Sequence, residues 1–228
     1  MTEVADDTAT ELEPDEDLEE FDDSDDDVDA PARSASRPWA FAIWLIVAGI
    51  LGELAAFALT IDKFEVLKNP DAILSCNVSV FINCGKNLES WQGAVFGFPN
   101  PIIGLICWMA PIVVGVSVLA GARFPRWYWI VFNVGVAGAM VFVLWLASQS
   151  IFDPFIRTLC PYCVLTWSVT YPTFFAVTFR NMAEGVFGAG ARRAGRALLP
   201  WVAPISIVLL LVVFGIAQTQ FPVIQSLF

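Results

Sequence analysis

The sequence predicts an all-α integral membrane protein, and three observations carry that prediction. The 228-residue chain is 57% hydrophobic and only 15% charged, with a mean hydropathy of +0.66, a composition well outside that of soluble globular domains. Five apolar runs of about 20 residues follow one another, each long enough to cross a bilayer as a helix. The charge is segregated: residues 1–30 hold 16 of the 23 acids and no base, so the remainder carries 12 bases against 7 acids and the net charge of −11 belongs to the tail. The acidity therefore does not describe the membrane part, and no nucleic-acid partner is indicated. Histidine is absent, which excludes histidine-ligated haem, the usual histidine zinc sites and nucleophiles activated by imidazole.

In chain order, residues 1–38 are rich in Asp, Glu, Ser, Thr and Ala and lack the large apolar side chains needed to offset ordering entropy. They are expected to form a disordered, cytoplasmic tail. A cleavable signal would begin with basic residues and a shorter apolar stretch, so the first run is expected to be a permanent anchor. The runs cover about residues 39–59, 98–120, 127–147, 159–179 and 198–217. Bases counted over short loops orient them. Arg33, Arg37, Arg123, Arg126, Arg180, Arg192, Arg193 and Arg196 fall on one side, against Lys63, Lys68, Lys86 and Arg157 on the other. The expected protein is a multi-pass component of the cell membrane with its N-terminus in the cytoplasm. The long external segment 61–97 is a candidate functional element, within which Leu88, Trp91 and Val95 are spaced as one face of a short surface helix.

Four of the five cysteines form two pairs, both on the outer, oxidising side. Cys76 and Cys84 lie in the external segment. Cys160-Pro161-Tyr162-Cys163 opens the fourth run, where Pro161 suits a first helical turn and the helix terminus favours a thiolate, with Arg157 one turn earlier. Each pair can be a permanent staple. A shared zinc site is a weaker reading, because a C-x7-C spacing is poor for a metal knuckle. Two dithiols on one face also suit a relay in which a thiolate opens a disulfide and two electrons pass on. With no nucleotide-phosphate loop and the second pair at the bilayer surface, a lipid-soluble quinone is the natural terminus.

In this order Cys76, Cys84, Ser90, the run Phe96-Gly97-Phe98-Pro99-Asn100-Pro101-Ile102-Ile103-Gly104 and Cys160-Pro161-Tyr162-Cys163 resemble the bacterial vitamin K epoxide reductase (VKOR) family, close to its actinobacterial five-span type. The resemblance covers residues 39–180, and the position of the C-x-x-C after the other pair argues against the DsbB family. It implies a four-helix transmembrane bundle around a quinone, menaquinone or ubiquinone, with a basic loop and a fifth transmembrane helix in 181–228. It also implies roles: Cys163 beside the quinone, Cys160 exchanging with the loop, Cys84 as shuttle, and Cys76 facing a thioredoxin-fold, DsbA-like protein. Ser90 would retain loop and quinone, Asn100 would meet a quinone carbonyl, and Trp167, one turn from Cys163, would line the ring pocket. With about ten residues after the last run, the redox partner is expected to be a separate protein.

Other features read more plainly. Cys107 is expected to be a packing residue. Glu53, inside the first run, is a candidate for proton movement or for a polar contact. The Arg192, Arg193 and Arg196 cluster suits topology and anionic lipid. The expected enzyme is a thiol:quinone oxidoreductase that makes disulfides. The same cysteines would serve a quinone or vitamin K epoxide reductase in the strict sense, and a noncatalytic, disulfide-stapled membrane protein is the rival from another class.

Overall fold

The computed structural model describes residues 39–69, 72, 74–77, 79 and 81–221. The acidic tail, 1–38, lies outside the described residues. The chain forms α1 (Trp39–Lys68), α2 (Gly85–Glu89), α3 (Asn100–Cys107), α4 (Met109–Leu119), α5 (Arg126–Phe152), α6 (Pro161–Ala183), α7 (Arg192–Leu198) and α8 (Val202–Gln220). Short 3-10 turns occupy Trp91–Ala94, Ala189–Ala191 and Leu199–Trp201. Among the described residues there is no strand, only one isolated parallel bridge between Ile82 and Leu159.

Four segments are long and apolar enough to cross a membrane: Trp39–Lys68, Asn100–Leu119, Arg126–Phe152 and Ala189–Gln220. This corrects the expectation of five comparably apolar spans. The remaining helix, α6, has the length at 23 residues but is interrupted by Thr, Ser, Pro, Asn and Arg. It is the central helix, packed against α1, α5, α7 and α8, so its surface meets protein rather than lipid and need not be uniformly apolar. The outer helices show the complementary pattern. On α1, Ile43, Ile50, Phe57 and Phe64 are exposed at seven-residue spacing, while Ala42, Leu45, Ala55 and Leu59 are buried on the opposite side, the stripe of a helix with one face in lipid.

Without a hydrophobic driving force between helices in lipid, small residues let backbones approach. Gly49, Gly52 and Gly115 do this where α1 crosses α4; a Cβ on Gly52 would meet the Trp108 ring. The second span is not one continuous helix. It breaks at Trp108 between α3 and α4, because Pro111 lacks an N–H and its ring crowds the carbonyl of Cys107, four residues back. Helix α1 extends past its predicted end at residue 59 to Lys68. Thirty residues span about 45 Å, against about 30 Å of hydrocarbon, and the charged residues Asp62, Lys63, Glu65 and Lys68 gather in its last turns.

Candidate active site

Residues 74–77 and 81–97 are held over the C-terminal ends of α1 and α5 and the N-terminal end of α6 by backbone and amide bonds. Leu159 donates its N–H to the Phe81 carbonyl at 2.8 Å, and Asn83 donates to the Leu159 carbonyl at 3.2 Å. This two-bond register leads both strands of chain into a cysteine: Cys84 caps α2 and Cys160 caps α6. Asn77 Oδ1 accepts from the Cys84 N–H at 3.3 Å, and the Lys63 ammonium donates to the Leu88 carbonyl at 2.6 Å.

Cys76 and Cys84 form a disulfide with a Cα–Cα distance of 5.8 Å. Cys84 Sγ also lies 2.8 Å from Cys160 Sγ, so one sulfur touches both possible partners. Cys160 and Cys163 are free thiols, the first buried and the second half-buried. The Cys163 N–H donates to Cys160 Sγ at 3.4 Å. The helix terminus was expected to favour a thiolate in the Cys160–Cys163 pair. Instead, burial pushes the Cys160 thiol well above its ordinary range, with the neighbouring Cys163 adding to the rise, because desolvation of a fully enclosed sulfur outweighs the backbone amides. Arg157 is exposed, and its backbone is held in the left-handed region at φ 39°.

Below the cysteines a cavity of about 620 Å³ runs between α1, α3, α4, α5 and α6, lined among others by Cys163, Trp167, Phe142, Asn100, Gln92 and Ser90. Its walls are apolar, and the end beneath the loop carries Asn87, Ser90, Gln92 and Asn100, the usual make-up of a site for an apolar molecule carrying a few polar atoms. Trp167 is 3% exposed and sits one turn below Cys163. The size, the aromatic wall and the polar end fit a quinone ring. Asn100 Nδ2 donates to the Gln92 carbonyl at 2.6 Å and Asn100 Oδ1 accepts from Val95 N–H at 3.2 Å, which leaves the second Nδ2 hydrogen for the cavity. Ser90 differs: its hydroxyl donates to the Asn87 carbonyl at 2.8 Å and accepts from Gly93 N–H at 3.3 Å. Its only hydrogen fastens the loop.

Ser90 also breaks the surface helix expected over Leu88, Trp91 and Val95. Its extended backbone, ψ 156°, ends α2 and starts a 3-10 turn. Leu88 is therefore buried under the cysteines, whereas Trp91 is exposed and packs on Trp145 with ring centroids 6.0 Å apart. Gly97, at φ 82°, takes the left-handed turn that leads into α3. Cys107 is exposed on the cavity wall, which corrects its reading as a packed core residue. Glu53 Oε2 is buried with no hydrogen-bond partner among the described residues.

The residue that sequence reasoning missed is Asp62, 7% exposed. One carboxylate oxygen lies 3.3 Å from Cys76 Sγ, and both accept from the Ser75 hydroxyl at 3.4 Å. The available signal was the spacing Leu59, Asp62, Val66, which puts an acid on the inner face of α1. Gln92 was missed too: it is buried, and its Nε2 donates to Asp153 Oδ2 at 2.8 Å, tying the loop to the end of α5.

No curated protein matches the sequence. The sequence model of the vitamin K epoxide reductase family matches residues 43–178, a stretch that takes in both cysteine pairs, the loop that joins them and the helices around the cavity. The chain is thus a multi-pass, all-α membrane protein of the vitamin K epoxide reductase family, whose members are quinone-associated oxidoreductases.

Proposed function

We propose that the protein is a thiol:quinone oxidoreductase that reoxidises a separate thioredoxin-fold, DsbA-like protein on the extracytoplasmic side and delivers two electrons to a membrane quinone. The observation that carries this reading is one continuous path. Cys84 Sγ is bonded to Cys76 and lies 2.8 Å from Cys160 Sγ, while Cys163, three residues on, lines the cavity. The free thiols of Cys160 and Cys163 beside a closed Cys76–Cys84 bond favour exchange between the pairs over two permanent staples. The excess of bases flanking the opposite ends of the spans supports an outward-facing site.

The residues divide the work. A partner thiolate attacks Cys76 Sγ and displaces Cys84 as thiolate; the partner's second thiolate then closes its own disulfide and releases Cys76. Cys84 attacks Cys160 of a Cys160–Cys163 disulfide and frees Cys163, and Cys76 closes on Cys84, freeing Cys160. A bound menaquinone or ubiquinone supplies the two-electron, two-proton acceptor that returns Cys160 and Cys163 to the disulfide. Trp167 and Phe142 provide flat apolar surface, Asn100 Nδ2 provides a donor, and Ser90 fixes the loop that roofs the cavity.

The test is anaerobic reduction of a soluble menaquinone analogue by purified protein with a reduced thioredoxin-fold donor, comparing wild type with Cys163→Ala. Turnover in wild type that disappears in the variant is expected. A wild type that turns over none of several quinones overturns the proposal, and turnover surviving in the variant overturns the place given to Cys163.

A further inference from the structure

We propose that Asp62 is the general base of the relay, taking the proton from Cys76 when that thiol closes on Cys84 and expels Cys160. The inference rests on the thiol:quinone reading and adds a residue to it. The structure holds the bonding that this step leaves behind: Cys76 bonded to Cys84, and Cys160 outside any disulfide with its sulfur 2.8 Å from Cys84. Asp62 Oδ2 lies 3.3 Å from Cys76 Sγ, within reach of the hydrogen that a reduced Cys76 carries.

The balance is closed within the protein. The Cys76 thiol, the Asp62 carboxylate and a Cys84–Cys160 disulfide become a Cys76–Cys84 disulfide, a Cys160 thiolate and an Asp62 carboxylic acid. The S–S bond to Cys160 breaks as the bond to Cys76 forms, the electron pair leaves on Cys160, and the proton moves to Asp62. The oxidising equivalents entered earlier through the Cys160–Cys163 disulfide, formed at the expense of a quinone.

The surroundings suit the task. Asp62 is 93% buried by its 7% exposure, and no cation faces it in the described contacts: Lys63, its neighbour in the chain, turns to the Leu88 carbonyl at 2.6 Å. The groups packed against it are Ser75, Cys76, Cys84 and, one step further, Tyr162. Ser75 Oγ lies 3.4 Å from both carboxylate oxygens and 3.3 Å from the Tyr162 hydroxyl. Ser75 is exposed, so this chain of hydroxyls gives the proton a way out to solvent. An ordinary thiol has a pKa of about 8.5 and is mostly protonated at neutral pH, so a base in contact accelerates its attack, typically by about 10²–10⁴-fold.

The experiment follows disulfides rather than turnover. Fully reduced wild type, Asp62→Asn and Asp62→Glu proteins are mixed anaerobically with the menaquinone analogue, quenched by rapid alkylation, and their disulfides identified by mass spectrometry at pH 6.5 to 9. In Asp62→Asn the Cys84–Cys160 species is expected to accumulate at pH 7 and resolve at least about tenfold more slowly than in wild type. Its rate should then rise about tenfold per pH unit up to about pH 8.5, where Cys76 ionises unaided, and Asp62→Glu should recover part of the rate at pH 7. Asp62→Asn resolving at the wild-type rate, or staying slow at every pH as a misfolded protein would, overturns the role of Asp62 and leaves the relay standing. A wild type that reduces quinone without ever passing through Cys84–Cys160 overturns the relay order and this proposal together.

Discussion

Asn83 donates its backbone N–H to the Leu159 carbonyl at 3.2 Å, and the cysteines that follow these two residues meet because of it. Cys84 and Cys160 are 76 positions apart, so neither local propensity nor spacing brings them together. The closure entropy of so long a loop is met by the bundle as a whole, and the register then selects which sulfurs touch.

That register predicts what a blocked relay accumulates. In a Cys76→Ala, Cys163→Ala double variant neither thiol that can reopen a Cys84–Cys160 bond remains, and Cys84 and Cys160 are the sulfurs 2.8 Å apart. Mild oxidation of the reduced variant should trap a Cys84–Cys160 disulfide, seen by peptide mapping. A product dominated by any bond of Cys107 would show that the contact between Cys84 and Cys160 is not the exchange geometry.

The two thiols of the C-x-x-C should differ in reactivity. Burial raises the Cys160 thiol well above its ordinary range, and an acid whose pKa is raised keeps its proton to higher pH, so its thiolate fraction at pH 8 is smaller. Iodoacetamide should label Cys163 first, and the lag of Cys160 should shrink as pH rises past 9. Equal labelling rates at pH 8 would contradict the enclosed environment of Cys160.

Gly138 lines the cavity, and a Cβ built on it meets nothing within 4 Å. Gly138→Leu therefore enters the cavity with its Cβ unopposed, should occupy space the quinone would use, and also gains helix propensity of up to about 1 kcal/mol. The expected result is an unchanged or higher melting temperature with a KM for the quinone analogue raised at least about tenfold. An unchanged KM would place the ring away from α5.

Packing of α1 on α4 should be intolerant of a single methyl group. A Cβ on Gly115 would lie 2.7 Å from the Ala42 carbonyl oxygen, a backbone atom that cannot swing away. Gly115→Ala should cost about 1–3 kcal/mol and lower the melting temperature in detergent, while Gly138→Ala, facing open space, should not.

Asn100 fastens the loop through Gln92 and Val95 as well as facing the cavity. Asn100→Ala leaves two backbone groups without their partner, at about 1–3 kcal/mol each where buried. Limited proteolysis should cut segment 90–98 faster, in addition to any weaker quinone binding. A variant that loses quinone affinity with unaltered proteolysis would separate the two roles.

Much of this protein was legible because its signals are local. Length and hydropathy identify a membrane helix from a window of about 20 residues, and α1, α5 and α8 lie where those windows fall. The exceptions have physical causes. Pro111 splits the second span at Trp108 and Ser90 splits the loop helix. α6 hides its Thr and Ser side chains inside the bundle, so its composition understates its place at the centre. Of the candidate site, the cysteines stood out by type and order, and Asn100, Ser90 and Trp167 through the family resemblance. Asp62 and Gln92 did not, since a lone acid or amide past an apolar run carries no local mark of what it will touch.

The sequence by itself determined that the chain lives in a bilayer, that its acidity belongs to a tail, and that its candidate reactive side chains are paired cysteines in the absence of any imidazole. Only the tertiary structure decided that Cys84 sits between Cys76 and Cys160, that Cys163 opens on a cavity, and that a buried carboxylate stands beside Cys76. Hydropathy is a sum over neighbours in the chain, whereas a sulfur's partner is fixed by helices packing from distant parts of it.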